Sequence, residues 1–248
     1  MSLSDAELER YARHIVLPQV GGIGQRKLKA ASVCVVGAGG IGSAVIPALA
    51  GAGVGRLTII DSDVVDLSNL HRQPLFRERD TGYSKADLAL QFVHRLNHFV
   101  KATPIQERIG PENATRLLEN HDLVIDGSDN FATRLSVSDA CVRLGIALVS
   151  AAGVQFQGQV ALFRAKPCYR CFVGDAFDAD DCDNCSDLGV LGALTGTVGS
   201  FAALLSINAL VGIGEDQAGK LHLFEGDKLA WRTLNVPTDP RCRACGSP

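Results

Sequence analysis

Two four-residue clips, Cys168-Tyr-Arg-Cys171 and Cys242-Arg-Ala-Cys245, lie about seventy residues apart in this chain. Together they supply four thiolates, the number a closed tetrahedral zinc site needs, and the two-residue spacer lets both sulfurs of a clip reach one ion. A metal held there would pin the C-terminal residues back onto the middle of the chain. Such a zinc is structural, because sulfur fills every position and leaves none open for chemistry. The competing reading is two redox or chance pairs. Upstream of both clips sits a glycine loop, Gly37-Ala-Gly-Gly-Ile-Gly42, directly after the short apolar run Ser32–Val36. A strand, a glycine loop and a helical pattern over 41–52 form the local architecture that presents backbone N–H groups and a helix dipole to a phosphate.

The rest of the N-terminal half repeats that alternation. Asp5 to Ile15 reads as a short amphipathic helix, and a glycine-containing link leads to the first strand. Leu57–Ile60, Thr103–Ile109, Leu123–Asp126 and Ala147–Ser150 read as further buried strands, with a helix over Phe131–Leu144. Continuous apolar strands alternating with helices indicate a parallel sheet covered on both faces. From Val154 the pattern changes to hairpin-type strands, Gln159–Phe163, Lys220–Phe224 and Trp231–Leu234. The expected fold class is therefore α/β, a Rossmann-like doubly wound mixed sheet, parallel in its N-terminal part with an antiparallel C-terminal extension. Residues 174–187 are rich in Asp, carry Cys182 and Cys185, and follow neither period, so they read as disorder or a functional lid.

With 248 residues and 46% hydrophobic content, the chain can bury one large core. One domain over 1–248 is expected, with an N-terminal helical arm (1–30), a nucleotide-binding half (31–152) and a second half (153–248). A net charge of −3 gives no broad basic field, so no nucleic-acid partner is expected. The polar first ten residues lack the apolar core of a signal peptide. Paired rather than scattered cysteines favour a reducing compartment, and the expected location is cytoplasmic. Val190–Ile213 is uncharged and long enough to cross a bilayer. Thr195, Thr197, Ser200, Ser206 and Asn208 interrupt it, so it reads as a helix buried in a core or subunit interface, with no membrane involved.

Asp61 ends the second strand nineteen residues after Gly42, placed for ribose hydroxyls. By itself that fits a dinucleotide as readily as ATP. The Gly-x-x-x-x-Gly-Lys-Ser/Thr pattern is absent, which excludes an ordinary P-loop. Arg72 and Lys85 supply cations that a hydride-transfer site would not need and that a triphosphate under attack would. Asp126-Gly-Ser-Asp-Asn130 follows the fourth strand at the carboxyl edge of the sheet, where α/β ligands bind. Asp129 is a candidate magnesium ligand, whereas Asp126 reads better as a turn or N-cap residue. Cys34 and Cys141 read as small buried hydrophobes.

With these residues assembled, the chain resembles the MoeB/ThiF family of adenylating enzymes over nearly its whole length. The resemblance rests on Arg10-Tyr-Ala-Arg-His14, the glycine loop, Ala52-Gly-Val-Gly55, Asp61, Leu67-Ser-Asn-Leu-His-Arg-Gln73, Lys85, Ser128-Asp-Asn130, both clips, and Cys185 before Leu188-Gly-Val190. It implies ATP- and magnesium-dependent adenylation of the C-terminal Gly-Gly carboxylate of a small ubiquitin-like sulfur carrier, in thiamin or molybdopterin type pathways. Asp61 would bind ribose. Asn69, Arg72 and Lys85 would bind phosphates, with Gly37, Gly39, Gly40, Gly42, Gln73 and Asn130 lining the nucleotide site. Asp129 would hold magnesium, and residues 153–248 would receive the carrier. Arg13 resembles an arginine that reaches a neighbouring subunit's site, which implies a homodimer. Cys185 would act in sulfur handling. Cys182 departs from the pattern and is either a resolving thiol or an unpaired loop cysteine. No rhodanese-like segment is recognised, so a separate sulfur donor is expected, a cysteine desulfurase or a rhodanese. The alternatives are a relative acting on a non-protein carboxylate, such as a tRNA-nucleoside dehydratase, a nicotinamide-dependent oxidoreductase, and a silent scaffold that docks the carrier.

Overall fold

Short apolar runs with no polar interruption become the centre of one eight-stranded sheet. The computed structural model describes residues 2–174 and 189–246. The strands are β1 (Ser32–Val36), β2 (Arg56–Ile60), β3 (Lys101–Ile105), β4 (Leu123–Asp126), β5 (Ala147–Val154), β6 (Gln157–Phe163), β7 (Lys220–Glu225) and β8 (Ala230–Asn235). Their order is β3-β2-β1-β4-β5-β6-β7-β8. Pairings from β3 across to β5 are parallel, and those from β5 to β8 are antiparallel. The mixed sheet is the one expected. β1 and β4 are buried at every position, because each lies between two neighbours with both faces covered.

The helices are α1 (Asp5–Arg10), α2 (Ala12–Ile15), α3 (Gly21–Ala30), α4 (Gly42–Ala52), α5 (Lys85–Leu96), α6 (Ala114–Leu118), α7 (Phe131–Leu144), α8 (Tyr169–Val173) and α9 (Gly192–Val211). One core packs α3, α4, α5 and α9 on one face of the sheet, and a second packs α6, α7 and α8 on the other. Sheet order reverses at β1, with β2 on one side and β4 on the other, and the crevice at their carboxyl ends is where open α/β sheets hold ligands.

Several local expectations are corrected. Residues 5–15 form two helices broken at buried Tyr11, whose hydroxyl accepts a hydrogen bond from Asn97 Nδ2 at 2.8 Å. Glu7, not Leu8, faces inward there: Lys29 Nζ lies 2.7 Å from its carboxylate, and Ser4 completes a capping box. The glycine-containing link is α3. Its Gly24 is required by close approach, since a Cβ would stand 2.9 Å from Val211 Cγ1. β3 runs over Lys101–Ile105 rather than Thr103–Ile109, because β2 offers only five partners and Pro104 is admissible on an edge strand. β5 continues past Ser150 to Val154, pairing with β6 to the end.

Among the described residues, α9 is the one helix long and apolar enough to cross a membrane by length and composition. Half of that stretch is buried inside the fold, against α4, β5 and β6. Gly199 sets the crossing with α4, since a Cβ there would lie 2.6 Å from Ile41 O and 2.9 Å from Ala44 Cβ. Gly196 has open space around it. Gly199→Ala is therefore expected to lose about 1–3 kcal/mol in urea or thermal unfolding through overpacking. Gly196→Ala should be neutral or slightly stabilising, because alanine is the better helix former. Equal effects at the two positions would contradict the packing assigned to α9.

Candidate active site

Each part of the site is fixed by backbone hydrogen bonds to its neighbour at the carboxyl edge of the sheet. Gly37 N donates to Ile60 O at 2.8 Å and Gly127 N to Val36 O at 2.9 Å, so the glycine loop hangs between β2 and the turn after β4. Gly42 must lack a side chain, because a Cβ would stand 2.2 Å from Gly37 O. No side chain caps the N-terminus of α4, leaving its dipole facing the crevice. Asp61 closes the loop. Its Oδ2 accepts from Ala38 N at 2.7 Å and its Oδ1 from Asp63 N at 2.8 Å. Burial pushes this carboxyl above its usual range, against the two backbone donors that pull it down.

Asp63 then reaches Lys85. Lys85 N donates to Asp63 O at 3.0 Å, and Lys85 Nζ lies 3.3 Å from Asp63 Oδ2. Lys85 is buried as the first residue of α5, which Ser84 caps by accepting from Asp87 N. Residues 67–73 cross the loop from the other side. Arg72 is half-buried, and its Nη1 donates to Ser68 O at 3.2 Å. Asn69 Nδ2 meets Ser68 Oγ at 3.3 Å. Buried Gln73 brings its Nε2 within 3.6 Å of the Cβ position at Gly39.

The Asp126–Asn130 turn completes the edge. Asp126 Oδ1 accepts from Ser128 N at 2.9 Å, a turn role, while Asn130 caps α7 by accepting from Thr133 N at 2.9 Å. Asp129 is exposed. Four buried side-chain oxygens without a protein partner gather around the loop: Ser43 Oγ, Gln73 Oε1, Asp126 Oδ2 and Ser128 Oγ. Orphaned polar atoms of this kind are what a bound polar ligand satisfies. The Asp129 carboxylate, exposed on this turn, is a hard oxygen donor of the kind that a divalent cation shared with phosphates takes.

The structure thus brings together the loop (Gly37, Gly39, Gly40, Gly42), Asp61, Asn69, Arg72, Gln73, Lys85, Asp129 and Asn130. It leaves Arg13 outside that cluster, exposed on α2. Tyr11 packs against Gly53 at the far end of α4, about 16 Å of helix from the loop. Cys185 and Cys182 lie outside the described residues. Two contributors carry no motif. The start of α9 covers the loop, since a Cβ at Gly40 would lie 2.9 Å from Thr195 Oγ1 and one at Gly192 2.2 Å from His71 O. Arg134 is the other, a charge inside an otherwise buried helix stretch, which is the signal that could have found it. A cavity of about 260 Å³ lies further along the same edge of the sheet, where Val154 pairs with Gln157 and Gln157 with Glu225, and is lined by Gln157, Leu223, Glu225, Lys228 and Arg232.

The four clip cysteines meet as expected. Their Sγ atoms all lie within 4.8 Å of one another, with Cys168–Cys242 at 3.6 Å and Cys171–Cys245 at 3.4 Å. Tetrahedral sulfur around zinc, with Zn–S near 2.3 Å, requires about 3.8 Å between sulfurs, so the set fits that ion. Burial pushes the Cys168 and Cys245 thiols up, the latter to about 11. Cys34 and Cys141 are buried in the second core, as expected.

The sequence profile of the ThiF family matches residues 11–244. A sulfur carrier protein adenylyltransferase of Thermus thermophilus is 44% identical over 99% of this chain and 93% of its own. A SAMP-activating enzyme E1 of Haloferax volcanii is 40% identical, over 99% of this chain and 92% of its own. An adenylyltransferase and sulfurtransferase MOCS3 of Anopheles gambiae is 42% identical over 98% of this chain, which spans only 56% of that longer protein. Among solved structures, E. coli MccB with MccA-N7isoASN superposes with a TM-score of 0.85 at 22% identity, over 99% of this chain and 76% of that one, which shows the shared fold. With a profile match over nearly its full length and relatives at 40% identity or more, the chain belongs to the ThiF family.

Proposed function

We propose that this protein is an adenylyltransferase that uses ATP and magnesium to activate the C-terminal Gly-Gly carboxylate of a small ubiquitin-like sulfur carrier. The observation that carries the reading is the placement of Lys85 and Arg72 beside the Asp61-closed glycine loop, opposite the Asp129 turn. One face of the crevice offers cations and backbone N–H groups to phosphates, and the other offers carboxylate oxygen.

In this reading, Asp61 accepts from ribose hydroxyls with its remaining lone pairs, and the loop and the α4 dipole hold phosphate oxygens. The carrier's terminal carboxylate attacks the α-phosphorus, forming a P–O bond as the bond to the β-phosphate oxygen breaks. Pyrophosphate leaves and the acyl-adenylate remains. Arg72 and Lys85 lower the repulsion between the two anions and neutralise charge on the departing oxygens, while positioning supplies much of the remaining rate. Magnesium, held by Asp129, supplies further charge neutralisation when bound. A cysteine desulfurase or rhodanese would provide the sulfur that displaces AMP, in thiamin or molybdopterin type chemistry, with Cys185 in sulfur handling.

The setting is cytoplasmic and the assembly a homodimer, in which Arg13 serves the neighbouring copy. Exposed Val16, Leu17 and Ile23 near α2 and α3, with Leu204 on α9, form apolar surface that a second copy would cover. The Cys168, Cys171, Cys242 and Cys245 tetrad holds a structural zinc.

Lys85→Ala and Arg72→Ala should each reduce ATP–pyrophosphate exchange about 10²–10³-fold, with melting temperatures close to the parent's. Wild-type exchange in either variant would contradict the phosphate assignments. Metal analysis should find one zinc per chain, and its removal by a strong chelator should lower the melting temperature, because binding energy at such a site is folding energy. An unchanged melting temperature after verified removal would show that the tetrad does not support the fold.

A further inference from the structure

Arg134 is 5% exposed, and its guanidinium has neutral partners among the described residues. Nη1 donates to Ser150 Oγ at 3.1 Å, and Nη2 donates to Ala151 O at 2.9 Å and to Ser128 O. Ser150 and Ala151 belong to β5. Ser128 belongs to the turn after β4, and its carbonyl is half of the peptide unit that leads into Asp129. A buried cation without an acid costs stability unless several good acceptors hold it, so its presence calls for a reason beyond packing.

The remaining bonds of the turn show what the arginine adds. Gly127 N is tied to Val36 O, Ser128 N to Asp126 Oδ1, and Asn130 Oδ1 to Thr133 N. These fix both ends of the turn. The peptide between Ser128 and Asp129 is fixed from one direction by Arg134. Asp129 itself is exposed, so the direction of its carboxylate depends on how that peptide is held.

We infer that Arg134 is a positioning residue: by anchoring the Ser128–Asp129 peptide to β5, it aims the Asp129 carboxylate at the divalent cation of the bound nucleotide. This rests on the nucleotide reading of the site and adds to it the part that sets cation affinity. A guanidinium suits the task because its planar fork reaches both the turn carbonyl and the strand at once, which a lysine ammonium does not reproduce.

The test uses the full chain with Mn²⁺ as the probe. Mn²⁺ binding is followed by electron paramagnetic resonance in the presence of a non-hydrolysable ATP analogue, alongside binding of the same analogue without metal. Arg134→Gln should weaken Mn²⁺ binding about tenfold or more, the usual cost of losing a group that orients a metal ligand. Arg134→Lys should fall between Gln and the parent. Metal-free analogue binding should change little in either. Ser150→Ala, which removes only the Nη1 partner and is the safer variant for folding, should give a smaller loss of about two- to fivefold. Parental Mn²⁺ affinity in the folded Gln or Lys variant, or an equal loss with and without metal, overturns the inference. If Arg134→Gln does not fold, parental Mn²⁺ affinity in both Arg134→Lys and Ser150→Ala overturns it. Wild-type protein that captures the analogue neither with nor without Mn²⁺ overturns the nucleotide site itself, a separate and recognisable outcome.

Discussion

The carboxylate of Asp61 holds the site together. It accepts from Ala38 in the glycine loop with one oxygen and from Asp63 with the other. Asp63 in turn bonds the backbone and the ammonium of Lys85. One short side chain at the end of β2 therefore fixes both the glycine loop and the start of the helix that carries Lys85. The cost is a half-buried carboxylate, offset by two backbone donors at close range. Geometry of this kind is set before any ligand arrives, which is what electrostatic catalysis requires.

A second line of support runs through α7. Its N-terminus is capped by Asn130, its first turns carry Arg134 under the Asp129 turn, and Asp139 accepts two bonds from Arg170 at 2.6 and 2.8 Å. Arg170 sits on α8 between the first two clip cysteines, so the four-cysteine cluster and the acidic turn are joined to opposite ends of one helix. The clips thus do more than fasten the C-terminal residues. They brace a helix whose other end sits at the carboxyl edge of the sheet, while α9 crosses the opposite face and lays its first turn over the glycine loop.

Where local pattern and tertiary context agree, the sequence was legible. β1, β4 and α7 fall on the residues expected: the strands are continuous apolar runs, and α7 is bracketed by Asn130 at its start and Gly145 in the left-handed region at its end. The cysteine cluster was readable from spacing alone, and the loop, Asp61 and the acidic turn from their place after strands. What was illegible is tertiary. Nothing local says that Gly24 accommodates Val211, so α3 resembles a linker. Nothing near Gly192 says that it packs against His71. Asp63 gives no hint that it pairs with Lys85. The extended end of β5 was hidden because Ala151, Ala152 and Gly153 are weak strand formers held in place by β6.

The account turns on carboxylate activation by nucleotidyl transfer, and the most direct measurement is ATP–pyrophosphate exchange by the purified protein with ubiquitin-like carriers ending in Gly-Gly. The account predicts magnesium-dependent exchange that requires one such carrier and disappears when its terminal glycine is deleted. Exchange that needs no carrier, or none with any Gly-Gly carrier despite bound ATP, would contradict it.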